Sequence, residues 1–168
     1  MSRRSILAGM AAGVLLMIPS MQGTTPRFVW NATASVRLGL YRITPGPVAR
    51  GDLVLIRLPP DLAGLADRRG YLPKSAYLIK LVSAVGGERV CRVGNRVIAR
   101  ATAVVRILRR DSRGRRMPAW HGCHSLAPGD LFVLGSDAHS FDSRYFGPLS
   151  ASNIVGRAVL VWSAREPG

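Results

Sequence analysis

The order of apolar and polar residues beyond residue 22 predicts a domain built mainly from β-strands. Short apolar runs are separated by glycine, proline and asparagine turns, and Gly94-Asn95 is typical of a two-residue hairpin. Only residues 61–69, which follow two prolines, favour a helix. We therefore expect an all-β, mainly antiparallel fold with strands at residues 51–58, 77–83, 90–93, 96–99, 104–108, 131–134 and 154–162.

The N-terminus has the pattern of a membrane anchor. Arg3 and Arg4 precede an apolar stretch within residues 5–21, which we interpret as one transmembrane helix. Bulky residues around Pro19 leave no clear small-residue cleavage site, so we favour an uncleaved anchor, with a cleaved signal peptide as the alternative. Because arginines stay on the cytoplasmic side, residues 1–4 are expected in the cytoplasm. Residues 22–168 would then form a periplasmic domain tethered to the inner membrane by a single span.

Composition narrows the possible partners. The chain has 168 residues and a formal net charge of +15, a length that suits one domain with a real core. Aromatic residues make up only 7% and no stacking motif interleaves with the basic residues, so we expect no direct nucleic-acid partner. The six arginines within residues 106–116 are interpreted as a solvated hairpin, with contact to anionic lipid head groups as the alternative.

One lysine lies in an unusual context. Only two of the 24 lysine and arginine residues are lysines, and Lys80 falls in the predicted strand at residues 77–83. Alternation places Leu78, Lys80 and Val82 on one face of that strand. Burial there would lower the pKa of the amine and make a neutral base available, which arginine cannot provide. The alternative is a lysine near a strand end whose ammonium reaches water.

Cys91 and Cys123 are disulfide candidates, because an oxidising compartment favours a bond over two free thiols. Two buried thiols are the alternative. Cys123 also lies close to His121 and His124, but no second group of ligands at metal-binding spacing accompanies them. We therefore predict no metal site.

Three sequence blocks carry the most specific signal. Residues 31–41 are rich in small polar side chains and end in Gly-Leu-Tyr, and residues 77–90 hold Lys80 in an apolar run. Residues 140–148 read Ser-Phe-Asp-Ser-Arg-Tyr-Phe-Gly-Pro. In this order the blocks resemble those of type I signal peptidases, and within that family those of the TraF-type conjugative-transfer peptidases. The resemblance covers essentially the whole chain and implies a signal-peptidase-like β catalytic domain.

The resemblance also implies roles for individual side chains. Ser35 would be the nucleophile and Lys80 the general base of a Ser-Lys dyad. Thr33 would add its hydroxyl to the oxyanion hole beside the Ser35 N–H, although a plain turn hydroxyl is the alternative. Ser140 would orient the lysine amine. Such an enzyme needs no metal or other cofactor.

Further residues of the same blocks support the loops. By resemblance, Asp142 and Arg144 form a structural ion pair that fixes the loop carrying Ser140. Arg37 departs from the family pattern, because a proline usually stands two residues after the nucleophile, and this predicts a less rigid backbone. The segment Asn31-Ala-Thr33 also matches a glycosylation sequon, which we take as chance.

The function implied by the resemblance is a membrane-anchored serine endopeptidase. Its partner would be a membrane-tethered precursor, such as a conjugative pilin processed during plasmid transfer, with small residues at positions −1 and −3. Cleavage alone and cleavage followed by cyclisation are both compatible with this chemistry. Two other functions stay open: a general signal peptidase acting on exported proteins that bear signal peptides, and a non-enzymatic basic β-domain at the membrane surface.

Overall fold

A computed structural model of the chain describes residues 25–99 and 103–164. These residues contain two α-helices, α1 (Pro60–Arg68) and α2 (Ser143–Phe146), and one 3₁₀ turn at Ala151–Asn153. Their eleven strands are β1 Phe28–Asn31, β2 Gly39–Thr44, β3 Leu53–Arg57, β4 Tyr77–Val85, β5 Arg89–Val93, β6 Arg96–Ala99, β7 Ala103–Arg106, β8 Gly122–Ser125, β9 Asp130–Leu134, β10 Leu149–Ser150 and β11 Ile154–Ser163.

The strands form two sheets. The larger sheet has the order β1-β2-β11-β3-β4-β9-β10, and the smaller has the order β7-β6-β5-β8. Every pair of neighbouring strands within the described residues is antiparallel. The predicted all-β, mainly antiparallel fold with little helix is therefore confirmed for this part of the chain.

The core of the larger sheet lies along β3, β4 and β9. Val54, Leu55 and Ile56 of β3 are fully buried, as are Phe132 and Val133 of β9. Consecutive residues are buried because both faces of these strands are covered, which explains their continuous apolar runs. Strand β4 lies between β3 and β9, so this arrangement carries the middle of β4 into the interior.

Helix α1 matches the helix predicted at residues 61–69. Pro60 opens its first turn, where a proline ring is tolerated because the first N–H groups have no partner within the helix. Ala63 and Ala66 bury the face that packs on the core. The structure adds helix α2, which was not predicted, because its four residues are too few to show a helical period.

The smaller sheet contains the predicted hairpin. Strands β5 and β6 pair around Gly94-Asn95, and Gly94 has a positive φ of 60°, as this kind of turn requires. Cys91 of β5 faces Cys123 of β8, and a disulfide joins them across 32 residues. Strand β8 was not predicted, since all four of its residues are exposed and show no apolar pattern.

The arginine-rich segment forms a turn on the surface. Arg110 and Arg116 face each other in an isolated antiparallel bridge, and Asp111 accepts hydrogen bonds from the backbone N–H groups of Arg113 and Arg115. Most of these arginine side chains are exposed, as expected for a solvated hairpin.

The predicted anchor at residues 5–21 lies outside the described residues. Within residues 25–99 and 103–164, neither helix has the length and apolar character needed to span a membrane.

Candidate active site

Lys80 lies in the middle of β4, opposite Val54 of β3, and only 2% of it is exposed. Its Nζ atom donates a hydrogen bond of 2.7 Å to Ser140 Oγ. The amine is thus held inside the protein, which excludes the alternative of a lysine that extends to water.

The environment of Lys80 favours the neutral amine. Burial lowers its pKa to about 8, because the charged form loses its hydration. The carboxylates of Asp142 and Asp137 oppose this shift and raise the pKa, while the Arg144 guanidinium lowers it further. A substantial share of Lys80 is therefore unprotonated just above neutral pH, which is what a general base requires.

Ser35 lies on the loop between β1 and β2 and is buried, with 6% exposed. Its Oγ atom is 2.9 Å from the Thr33 Oγ1 atom, within hydrogen-bonding distance. Thr33 itself is exposed at the surface of the cleft. Asn31 holds the loop from inside, and its amide nitrogen donates to the carbonyl oxygens of Thr33, Val36 and Arg37.

The backbone at Arg37 is restrained despite the missing proline. Its carbonyl oxygen accepts hydrogen bonds from Asn31 Nδ2 at 3.2 Å and from the Tyr41 hydroxyl at 2.7 Å. Tyr41 is fully buried in β2, so this second donor is fixed by the core. The expectation of a looser backbone at this point is therefore not supported by these contacts.

The segment that follows β9 holds the β1–β2 loop, which carries Ser35, close to Lys80. Ser136 donates from its backbone N–H to the Ser35 carbonyl oxygen at 2.8 Å, and its hydroxyl lies 3.0 Å and 3.1 Å from the carbonyl oxygens of Ala34 and Ser35. β9 pairs with β4 through Leu134 and Leu81. Loop and lysine therefore meet at the end of β9.

Gly135 is the point at which the two serines meet. A Cβ atom at this position would lie 2.2 Å from Ser140 Oγ and 3.0 Å from Ser35 Cβ. Any other residue here would displace one or both serine side chains, since the shorter distance is far below van der Waals contact. We did not predict a role for Gly135 or Ser136; the one local signal is a glycine directly after a buried strand.

Asp142 and Arg144 form a buried ion pair beneath the site. Arg144 Nε donates to Asp142 Oδ1 at 2.8 Å, and Nη2 donates to Asp142 Oδ2 at 2.9 Å and to the Gly135 carbonyl oxygen at 2.7 Å. Asp142 Oδ2 also accepts from the Gly135 N–H at 2.7 Å. The pair thus ties both backbone groups of Gly135 to the turn that carries Ser140, and buried charges of this kind need such complete pairing.

Four of the predicted site residues border one cleft of about 670 Å³. Lys80, Ser35, Thr33 and Ser140 all line it, whereas Asp142 and Arg144 do not. Most of the remaining wall is apolar or aromatic and includes Trp30, Tyr71, Leu72, Ala76, Leu78, Ile79, Leu108, Phe141 and Tyr145. Such a wall suits an extended apolar peptide segment.

Hydrogen bonding in the cleft is divided into two pairs. Ser35 Oγ pairs with Thr33 Oγ1, and Lys80 Nζ pairs with Ser140 Oγ. Within the part of the chain that the structure describes, no hydrogen bond joins Ser35 Oγ to Lys80 Nζ. Hydrogen bonds between reacting groups are often absent or long before a substrate binds, so the absence of this bond does not exclude a reaction between the two groups.

Metal ligands are not grouped anywhere in residues 25–99 and 103–164: no cluster of three histidine, cysteine, aspartate or glutamate side chains occurs there. Cys123 is bonded to Cys91, so its sulfur is not available as a thiolate ligand beside His121 and His124.

Comparisons with known proteins identify the family. The model of the family described as "Signal peptidase, peptidase S26" matches residues 2–163. The chain therefore belongs to the signal peptidase family and is a peptidase by family. Its relatives include a conjugal transfer protein TraF of Agrobacterium fabrum, 34% identical over 176 residues that cover 97% of this chain and 98% of the relative.

Two further relatives carry the same kind of name. A probable conjugal transfer protein TraF of Sinorhizobium fredii is 40% identical over 140 residues, covering 76% of this chain and 73% of the relative. A plasmid transfer protein TraF of Escherichia coli is 31% identical over 174 residues, covering 95% and 97%. The predicted membership of the TraF-type group of signal peptidases is thereby confirmed.

Proposed function

We propose that this protein is a membrane-anchored serine endopeptidase that processes a membrane-tethered precursor, with Ser35 as nucleophile and Lys80 as general base. The observation that carries the proposal is the buried Lys80 amine, with a pKa of about 8, in the same cleft as Ser35. A lysine is retained in this apolar interior although burying it carries a free-energy cost, and a neutral base explains why.

The reaction begins when the Ser35 hydroxyl turns from Thr33 to Lys80. Ser35 Oγ attacks the scissile carbonyl carbon as neutral Lys80 accepts its proton, and Ser140 keeps the amine oriented through its bond to Nζ. The oxyanion is stabilised by the Ser35 N–H and the Thr33 hydroxyl. The lysinium then protonates the leaving amine, and water, activated in turn by Lys80, hydrolyses the ester at Ser35.

A second outcome is open to the ester intermediate. The ester at Ser35 holds the part of the substrate that precedes the scissile bond. If the free N-terminal amine of this same part attacks in place of water, a new peptide bond forms, Ser35 Oγ leaves and the product is cyclic. This is the route that the TraF-type resemblance implies for pilin.

The choice of substrate class is supported by the names of the relatives. Their names associate them with conjugal transfer and plasmid transfer. We infer that this chain acts on a conjugative pilin precursor during plasmid transfer, at a site with small residues at −1 and −3. No metal or cofactor takes part in the steps derived above.

Membrane attachment is supported by the surface near the cleft. Trp30 lines the cleft and packs against Trp162, with ring centroids 5.6 Å apart. Both indoles and Phe28 are more than half exposed. Exposed aromatic groups of this kind suit a membrane interface. Together with an anchor at residues 5–21, they would hold the cleft at the periplasmic face of the inner membrane, where a tethered substrate lies.

The test is processing of a pilin precursor co-expressed with the full chain, read by mass spectrometry of the product. We expect a product shortened at one scissile bond, and loss of processing in Ser35→Ala. Ser125→Ala is the matched control, because Ser125 is exposed on β8 and does not line the cleft. A cyclic product is lighter than the cleaved one by one water. Processing of general exported precursors while the pilin is untouched would assign the housekeeping function, and full activity of Ser35→Ala would overturn the proposal.

A further inference from the structure

Asn31, the last residue of β1, is a buried polar side chain to which the catalytic scheme assigns no step. Only 7% of it is exposed. Its Nδ2 atom donates to the carbonyl oxygens of Thr33 at 2.8 Å, Val36 at 3.1 Å and Arg37 at 3.2 Å. These acceptors lie on both sides of Ser35, so one amide group spans the entire nucleophile loop.

The orientation of this amide follows from its partners. Three carbonyl oxygens surround one end of the side chain, and only the NH₂ group can serve them as a donor. The opposite orientation would set the amide oxygen against three other oxygens. Oδ1 therefore faces Thr33, whose backbone N–H lies 3.4 Å away and whose Oγ1 lies 3.0 Å away.

The protons of the two hydroxyl groups can then be assigned. An amide oxygen only accepts, so the Thr33 hydroxyl donates its single proton to Asn31 Oδ1. The contact of 2.9 Å between Thr33 Oγ1 and Ser35 Oγ must consequently use the proton of Ser35. Before substrate binds, the Ser35 hydroxyl therefore donates to Thr33 Oγ1, and the Thr33 hydroxyl donates to Asn31 Oδ1.

This direction has consequences for catalysis. The Ser35 proton points away from Lys80, and the Thr33 proton is already committed to Asn31. When the substrate carbonyl enters, Ser35 must turn to Lys80 and Thr33 must exchange Asn31 Oδ1 for the developing oxyanion. Both hydroxyl groups can do so without movement of the backbone only if the loop is already held in place, which is what the three bonds from Nδ2 provide.

We propose that Asn31 is a positioning residue for the peptidase reaction: it fixes the nucleophile loop through Nδ2 and holds the Thr33 hydroxyl through Oδ1 until the oxyanion forms. This inference rests on the proposed function of Ser35 and Thr33. The contribution of Thr33 to the rate should therefore depend on the presence of Asn31.

A double-mutant cycle tests this dependence. The full chain in detergent micelles is assayed for kcat and KM on a purified pilin precursor, for wild type, Asn31→Ala, Thr33→Val and the double variant. We expect Asn31→Ala to lower kcat by ~10²-fold with KM within about twofold, since the Asn31 side chain is buried and acts through the loop that it holds. Thr33→Val should lower kcat by ~10²–10³ in the wild-type background, but by less than ~10-fold in Asn31→Ala.

Controls keep the result interpretable. Asn95→Ala, in the exposed turn of the β5–β6 hairpin, should retain the wild-type kcat and KM. If Asn31→Ala fails to fold, Asn31→Ser replaces it, because its short hydroxyl keeps a polar group at this position but lacks the NH₂ group that joins the three carbonyl oxygens. The same fall in kcat and the same reduced effect of Thr33→Val are expected.

Two results would overturn the proposal. One is a wild-type kcat in the folded Asn31 variants, and the other is a loss from Thr33→Val that is equally large with and without Asn31. Ser35→Ala in the same assay separates this failure from that of the proposed function. If Ser35→Ala is inactive while Asn31→Ala is fully active, only the role of Asn31 is refuted.

Discussion

The pH dependence of the reaction is the most quantitative consequence of the site. Lys80 acts as a base only when neutral, and burial lowers its pKa from 10.5 to about 8. At pH 7 about 10% of the amine is then neutral, compared with roughly 0.03% for an unburied lysine, a gain of about 300-fold in the active form. Burial therefore acts on the availability of the base, and below pH 8 the rate should rise with the neutral fraction of Lys80.

The predicted profile of kcat/KM follows from this ionisation. The neutral fraction falls tenfold per pH unit on the acidic side, so kcat/KM at pH 6 should be about 100-fold below its plateau above pH 9. The assay is cleavage of the pilin precursor by the full chain in micelles, from pH 5.5 to pH 9.5 at constant ionic strength. A rate that is flat between pH 6 and pH 8 would refute the assignment of Lys80 as the base.

A substitution at Asp137 should shift the pH profile of kcat/KM in a known direction. Its carboxylate raises the pKa of Lys80, and hydrogen bonds from His139 keep Asp137 ionised by lowering its own pKa. Asp137→Asn should therefore move the acidic limb of the profile to lower pH. Asp61→Asn, on the exposed side of α1, is the matched control and should leave the limb in place. A shift to higher pH in Asp137→Asn would contradict the electrostatic reasoning.

Three further predictions concern stability, the oxyanion hole and the disulfide. Lys80→Met should abolish cleavage yet raise the free energy of unfolding at pH 7 by about 2 kcal/mol, because about 3 kcal/mol of burial cost is removed and about 1 kcal/mol from the bond to Ser140 is lost. Between about pH 8 and pH 10.5 the unfolded chain binds more protons at Lys80 than the folded chain, so the free energy of unfolding of the wild type should rise over this range. Lys80→Met should lack this rise, and an equal rise in Lys80→Met would refute the lowered pKa of Lys80. Thr33→Val should cleave ~10²–10³ times more slowly with an unchanged melting temperature, whereas Thr33→Ser should retain most of the rate; a wild-type rate in Thr33→Val would remove Thr33 from the oxyanion hole. Cys91 and Cys123 should resist alkylation in denatured protein until reduced, and reduction should cost about 3–4 kcal/mol of stability, whereas two thiols that label without reductant would contradict the bond.

Local sequence patterns were sufficient for much of the fold. The turn at Gly94-Asn95, the continuous apolar runs of β3 and β9, and the proline-led helix α1 each carry their own signal in a few adjacent residues. Strands β1 and β8 carry no such signal in the sequence, because they are short and largely exposed. Helix α2 was missed because its four residues are too few to show a helical period, although Asp142 caps it by accepting from the Arg144 N–H.

Some residues of the candidate site could be predicted from the sequence and others could not. Lys80 could be found from its apolar context, and the other candidate residues from the resemblance of the blocks that contain them. Sequence reasoning could not find the roles of Gly135, Ser136 and Asn31. These roles arise from contacts that form only when the β1–β2 loop meets the end of β9. A buried asparagine that joins several carbonyl groups looks in the sequence like any turn residue or sequon.

The most direct test of the central claim is the activity of Lys80→Arg beside Ser35→Ala and wild type. Arginine keeps the positive charge but does not lose its proton at the pH of the assay. At equal expression and with a membrane-tethered pilin precursor, we expect full processing by wild type and none by either variant. Substantial processing by Lys80→Arg would contradict a mechanism in which the neutral lysine amine activates Ser35.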